Sequence, residues 1–343
     1  MNKFILFRTD ASVDIGMGHL MRCATLAHAF ADKGWLCKFI TCETSRPFIK
    51  IANLENFDIQ YLSSTDTRNS QALSIDSTEI ADILVIDSYD LDHEYETACR
   101  VFAKTILSMD DRPTREHDCD ILLDQNYGRK LIDYEFLVPD HCKVLTGADK
   151  ALLRPEFIYM RNDALKERDG RLGKINRVLI SIGGSDPGDA TSRIIEGLDA
   201  VKQELVVDIV LSSQSPALKK IEAHCNINPN KTLHINTTKM AELIRAADLV
   251  FGAGGMTSWE RCCLAAPSVL VQVADNQIGN IEGLTKTHAA RFLGMAEDFH
   301  ARQVREILQD LIEDPAKVRS MSQASRRLCD GQWISRLIEM LSR

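Results

Sequence analysis

No C-x-x-C pair occurs among the ten cysteines, which stand singly apart from the vicinal Cys262-Cys263. A zinc site of the usual spacing and a disulfide framework are both excluded on that ground, and the cysteines are expected to be reduced and mostly buried. Long apolar runs are missing too. Phe4, Ile5, Leu6 and Phe7 are the only apolar residues in a row before Arg8 and Asp10, too few for a signal-peptide core, and no later run approaches membrane-spanning length. A cytoplasmic protein with no membrane insertion is expected. Basic residues are in the minority, 41 Lys and Arg against 49 Asp and Glu, and the net charge of −8 argues against nucleic acid as a partner. No H-E-x-x-H, G-x-S-x-G or Walker A sequence is present, so the chemistries those motifs carry have no foothold.

What is present is the pattern of an α/β protein. A chain of 343 residues is too long for one ordinary core. Its first half alternates apolar strands, at 3–8, 36–42, 58–62, 82–87 and 104–109, with helices at about 18–34, 46–54 and 91–102. That spacing implies parallel βαβ units, whose ligands bind at the carboxyl ends of the strands. A polar stretch from Arg161 to Lys174 reads as a surface helix plus linker, after which the alternation restarts with strands at 178–182, 206–211, 232–235, 248–251 and 268–273. Two domains are expected, 1–160 and 161–343, with two or three amphipathic helices in the tail from Ala301.

The first strand leads into Asp14-Ile15-Gly16-Met17-Gly18-His19. Gly16 and Gly18 let the backbone approach a ligand, and a helix begins at about Gly18 with Leu20, Ala24, Ala27 and Phe30 on one face. His19 then lies in the first helical turn, where the dipole disfavours imidazolium, a suitable setting for a neutral general base. Simple packing of the ring there is the alternative. A second cluster, Gly252-Ala253-Gly254-Gly255, follows a strand and opens a helix that carries Glu260. It reads as an anion site with a carboxylate placed for a ribose diol, or as a tight turn with an exposed glutamate. Asp275-Asn276-Gln277 and Gly183-Gly184-Ser185-Asp186 suit either sugar and pyrophosphate contacts or helix capping, with capping the stronger local reading. Gly16-Met17-Gly18 falls short of a dinucleotide fingerprint, because Met21 stands where a third glycine belongs. Asp110 and Asp111 are read as solvated or capping rather than as metal ligands, so neither a metal nor a cofactor is expected.

Paired glycine turns in two α/β halves resemble the GT-B architecture, two Rossmann-like domains facing across a cleft. Arg8-Thr9-Asp10-Ala11-Ser12, Ile15-Gly16-Met17-Gly18-His19 and Met21-Arg22-Cys23-Ala24-Thr25-Leu26-Ala27 resemble the opening of the UDP-sugar hydrolases of pseudaminic acid biosynthesis, which serves flagellin glycosylation and cell-surface polysaccharide. Val85-Ile86-Asp87-Ser88-Tyr89, Met109-Asp110-Asp111, Leu123-Asp124-Gln125-Asn126 and Leu152-Leu153-Arg154-Pro155-Glu156-Phe157 agree with it. The resemblance implies metal-independent release of UDP from UDP-2,4-diacetamido-2,4,6-trideoxy-β-L-altropyranose by water attack at C1, with inversion. His19 would be the base, and Asp10 and Tyr89 would line the sugar pocket. Gly16 and Gly18 would admit sugar and diphosphate, while Ser185, Gly254 and Gly255 would lie along the diphosphate. Glu260 would hold the ribose, and Asn276 and Gln277 would contact phosphate or sugar. The chain is expected to be a monomer. An inverting UDP-N-acetylhexosamine transferase of GT-B type and a non-catalytic nucleotide-sugar-binding protein are the two other readings.

Overall fold

A computed structural model describes residues 3–12, 15–63, 68–69, 80–183 and 186–342. Asp14, Gly184 and Ser185, named in the motifs above, lie outside the described residues. The chain divides into two compact units, Met1–Leu153 with Gln332–Arg343, and Arg154–Gly331.

Among the described residues unit 1 holds seven strands, β1 (Phe4–Thr9), β2 (Leu36–Cys42), β3 (Asp58–Leu62), β4 (Ala81–Asp87), β5 (Ala103–Met109), β6 (Ile121–Asp124) and β7 (Lys143–Thr146). They form one sheet in the order β3-β2-β1-β4-β5-β6-β7, and every pairing in it is parallel. Between its strands lie the helices α1 (Gly18–Ala31), α2 (Arg46–Ile49) and α3 (His93–Cys99). Both faces of the sheet are covered. Phe7, Phe39, Val85 and Leu107 face one core with α1, whereas Leu6, Ile40, Leu84 and Ile106 face another with Tyr95 of α3. That alternation along each strand is what a doubly covered parallel sheet requires. Strands 121–124 and 143–146 escape the sequence reading, being only four residues long and not separated by a helical pattern.

Unit 2 opens with α4 (Pro155–Arg171) and continues through β8 (Arg177–Ser181), α5 (Ala190–Asp199), β9 (Val206–Leu211), α6 (Leu218–Asn226) and β10 (Lys231–Ile235). Then come α7 (Met240–Ala246), β11 (Leu249–Ala253), α8 (Thr257–Cys263), β12 (Ser268–Gln272), α9 (Ile278–Lys286), β13 (Ala290–Met295), α10 (Ala301–Glu313) and α11 (Pro315–Leu328). The second sheet runs β10-β9-β8-β11-β12-β13 and is again parallel throughout.

The polar stretch after Arg161 differs from its surface reading. Pro155 sits in the first turn of α4, as its fixed φ favours, and Arg154 before it is extended. Arg161, Arg168 and Arg171 then turn inward as caps. Arg168 donates to the carbonyls of Ile244 (2.7 Å), Ala247 (2.8 Å) and Leu264 (2.6 Å), so one guanidinium serves the C-terminal ends of α7 and α8. Arg171 reaches Arg245 O and Ala247 O, and Arg161 reaches Cys263 O, Arg326 O and Cys329 O. The last four carbonyls of a helix have no intrahelical donor, which is the demand these side chains meet.

The last helix, α12 (Trp333–Ser342), also departs from expectation. The tail is read above with the second half, yet Trp333, Ile334, Leu337 and Ile338 pack into the unit 1 core beside Leu26 and Phe30 of α1. An amphipathic pattern shows that a face is buried, but not against what. All ten cysteines are free, and six of them are buried. Among the described residues no helix is long and apolar enough to cross a membrane.

Candidate active site

Both sheets reverse their winding at a central pair of strands, β1/β4 in unit 1 and β8/β11 in unit 2. Ligands of open parallel sheets bind outside the carboxyl ends of the strands at that point, because the two connections leave in opposite directions there.

In unit 1 the first of these ends carries His19 and the second Asp87. Gly16 has φ +80°, which only glycine adopts readily, and neither Gly16 nor Gly18 has an atom within 4 Å of where a Cβ would stand. Met17 precedes α1 without a side-chain cap, and no acidic residue lies in the first turn. His19, 8% exposed, points Nδ1 at Asp87 Oδ1 over 2.5 Å. Arg22, one turn further, donates through Nε to Oδ2 (2.5 Å) and through Nη2 to Oδ1 (2.5 Å) of the same carboxylate. Burial alone would raise the Asp87 pKa, but Arg22 and then His19 outweigh it and hold the carboxyl well below its usual range. An ionised carboxylate only accepts, so Nδ1 carries the hydrogen, and Nε2 is the ring nitrogen left to exchange a proton. Among the described residues none hydrogen-bonds Nε2. The arrangement can take a proton at a defined atom.

Tyr89 stands edge-on to His19, with ring centroids 4.7 Å apart and an interplanar angle of 87°. Its hydroxyl donates to Asp111 Oδ1 (2.6 Å), and the Arg112 guanidinium lies 3.7 Å above its ring centroid. Asp10 follows β1. Its Oδ1 pairs with Arg8 (2.7 Å) and accepts from Cys42 N (2.7 Å), tying the ends of β1 and β2 together. The sequence reading gives no role at the site to Arg22, Asp87 or Arg112, although Asp87, Asp111 and Arg112 follow strands at the ends that it marks for ligands. The one signal for Asp87 is its position at a strand end next to a tyrosine, and for Arg22 its place three residues beyond His19.

Asp110 is not solvated. It holds Arg115 Nε (2.6 Å) and His117 Nε2 (3.0 Å), and His117 Nδ1 meets Glu96 Oε1 (2.9 Å). Burial opposes charge on His117, but the hydrogen bonds to Asp110 and Glu96 outweigh it and lift its pKa from 6.5 to about 9. A folded-state pKa above the unfolded one means stability fully present below pH 6.5 and lost as pH rises through about 9. The thermal midpoint is therefore expected to fall between pH 7 and pH 10 more steeply in the natural protein than in His117→Gln. Parallel curves would show that His117 is not the titrating group.

In unit 2 the glycine cluster lies where β11 ends. Gly254 is required by packing, since a Cβ would come within 2.3 Å of Ile281 Cγ1 on α9, and one on Gly252 would meet Arg261 Nη1 at 2.5 Å. Gly255 is open apart from Gln277 Nε2, 3.5 Å from where its Cβ would be. Gln277 thus adjoins the turn, while its Oε1 accepts from Val273 N (3.1 Å). Asn276 is exposed beside it. No side-chain capping bond forms at the start of α9 or of the short turn Asp275–Gln277 before it, so capping, favoured from the sequence, is not the use made of these residues. Asp186 does act as a cap, accepting from Thr191 N (2.9 Å) and Oγ1 (2.8 Å). Glu260 is neither free nor fully exposed; its side chain is 15% accessible and Oε1 lies 3.2 Å from Arg154 Nη2. Burial raises its pKa. Among the described residues no group of three or more His, Cys, Asp or Glu is placed to hold a metal ion.

Two parallel α/β units, each with its polar residues at a winding reversal, define the GT-B-like class, and solved structures agree. Acinetobacter baumannii MurG superposes with a TM-score of 0.69 over 99% of both chains at 14% identity. Arabidopsis thaliana UGT89C1 does so at 0.67 over 100% of both at 10% identity. Residues 178–332 match the glycosyltransferase family 28 C-terminal domain. The chain is similar, at 29% identity over 82% of its length and 96% of the relative's, to the UDP-2,4-diacetamido-2,4,6-trideoxy-β-L-altropyranose hydrolase of Campylobacter jejuni. It is 23% identical to the spore coat polysaccharide biosynthesis protein SpsG of Bacillus subtilis, over 97% of this chain and 96% of that one.

Proposed function

We propose that this protein is a UDP-sugar hydrolase acting on UDP-2,4-diacetamido-2,4,6-trideoxy-β-L-altropyranose or a close relative of that sugar nucleotide, in pseudaminic acid biosynthesis. The observation that carries the reading is the imidazole of His19, oriented by Asp87 through Nδ1 and edge-on to the Tyr89 ring. Similarity to the Campylobacter hydrolase over most of both chains supports the substrate class.

In this reading unit 2 holds the nucleotide and unit 1 supplies the base. His19 Nε2 takes a proton from water as the water oxygen bonds to C1. The bond from C1 to the diphosphate oxygen breaks, its electron pair leaves with UDP, and the sugar is released with inverted configuration. Asp87 steadies the imidazolium that forms and is not itself protonated, in keeping with its strongly ionised state. Amides at Gly255 and the start of α8, with Gln277 and Asn276 beside them, take up the charge of the leaving diphosphate, so no metal is needed. Glu260, held by Arg154, accepts from the ribose hydroxyls. Ser185 is assigned to the diphosphate on the sequence resemblance alone.

The test is to follow that sugar nucleotide by NMR with the purified protein, EDTA present and no acceptor. UDP and free sugar of inverted anomeric configuration are expected. The match of residues 178–332 to a glycosyltransferase domain favours one competitor, an inverting transferase, which would bind the substrate here without releasing UDP. Glu260→Ala is expected to weaken UDP roughly 10- to 100-fold by calorimetry, the worth of one or two hydrogen bonds to a charged group. Unchanged affinity would remove Glu260 from the ribose.

A further inference from the structure

Tyr89 belongs to the loop that leaves β4 at Asp87, and three carbonyls of that loop share one donor. Arg115 gives Nη1 to Tyr89 O (2.7 Å) and Leu91 O (2.8 Å), and Nη2 to Ser88 O (2.8 Å). Its Nε goes to Asp110 Oδ2 (2.6 Å). Asp110 also takes the next loop in hand, since Oδ1 accepts from Arg112 N (2.9 Å). Behind it stand His117 and Glu96, and Glu96 is fixed in turn by Ser108 Oγ (2.6 Å) and Asp118 N (2.6 Å). Asp110, His117 and Glu96 are each at most 4% exposed.

The charges balance. With His117 protonated, two cations face two carboxylates in a row, Arg115–Asp110–His117–Glu96. A buried ion pair offsets its desolvation only when its remaining donors and acceptors are satisfied, and here each oxygen of Asp110 and Glu96 and both ring nitrogens of His117 have a partner. The purpose served at the open end of the row is local. Hydrogen bonds to carbonyls fix the path of the backbone, whatever the side chains are.

We propose that Arg115 is a positioning residue of the His19 site: it fixes the loop from Ser88 to Leu91 so that the Tyr89 ring stays edge-on to the imidazole, with Asp110, His117 and Glu96 as its anchor. The proposal deepens the functional reading above and rests on His19 being the base. Asp111 and Arg112 hold the Tyr89 ring from its other sides, so loss of Arg115 shifts the loop without emptying the site.

Histidine labelled with ¹⁵N reports this directly, because the ring current of Tyr89 acts on its neighbour. The His19 resonance is assigned by its loss in His19→Gln, and the contribution of Tyr89 by its displacement in Tyr89→Leu. Arg115→Met is expected to move the His19 resonance toward its position in Tyr89→Leu. It should also lower kcat on UDP-2,4-diacetamido-2,4,6-trideoxy-β-L-altropyranose roughly 10- to 100-fold, the scale of a misplaced reacting group, with the Kd for UDP unchanged. Arg115→Lys, which keeps part of the donor set, should lie between. A folded Arg115→Met with an unmoved His19 resonance, or with kcat unchanged, overturns the proposal, and Arg115→Lys is judged on the same two measurements should the methionine variant not fold. Absence of turnover in the natural protein would overturn the hydrolase reading instead, while the resonance shift still decides the positioning role.

Discussion

His19→Gln is expected to reduce kcat by roughly two to four orders of magnitude, the usual worth of a general base, and to leave UDP affinity unchanged. Glutamine keeps a polar side chain of similar reach at the start of α1 but has no lone pair basic enough to take the proton. The partner residue separates chemistry from stability. Asp87→Asn should abolish turnover as well, because a neutral amide no longer dictates which ring nitrogen bears the hydrogen. It should in addition destabilise unit 1 by about 3–5 kcal/mol, since Arg22 is left buried beside a partner without charge. Turnover and denaturation measured on both variants check this pairing. Near-natural kcat in His19→Gln would remove the imidazole from the mechanism. An Asp87→Asn protein as stable as the natural one would show that the Arg22 pair carries little of the fold.

Arg168→Met should be the most damaging substitution in unit 2, costing about 2–5 kcal/mol. Three carbonyls lose a donor, and among the described residues only Ala247 O retains another side-chain donor, Arg171 at 3.0 Å. Burial already lowers the Arg168 pKa to about 9, so removing the charge relieves some desolvation and offsets part of the loss. Chemical denaturation followed by a probe in unit 2 should show an earlier midpoint with an unchanged slope. Arg168→Lys should recover part of it. An unchanged midpoint in Arg168→Met would mean that those carbonyls find other donors.

These two residues show how unevenly the sequence reveals its structure. His19 stands out because its surroundings are local: a strand, a glycine turn and the first turn of a helix, all within a dozen residues. Arg168 does not, because the carbonyls that it caps come from helices 76 to 96 residues further on. A charged helix face reads as solvent-facing unless those partners are known. Asp87 lies 68 residues from His19 and becomes its partner only because β4 is laid beside β1. A Cβ on Gly254 would strike Ile281 of α9, a packing demand that the glycine turn by itself does not show.

By itself, then, the sequence determined the α/β class, the parallel strands of both halves other than β6, β7 and β13, the start of α1 and the glycine turns, because each follows from periodicity or backbone freedom within a few residues. Only the tertiary structure decided which carboxylate orients His19, that the arginines of α4 are caps, that α12 returns to unit 1, and that Asp10 braces β1 against β2. Those outcomes depend on strand order and on the demand of buried carbonyls and charges for partners, which no local pattern contains.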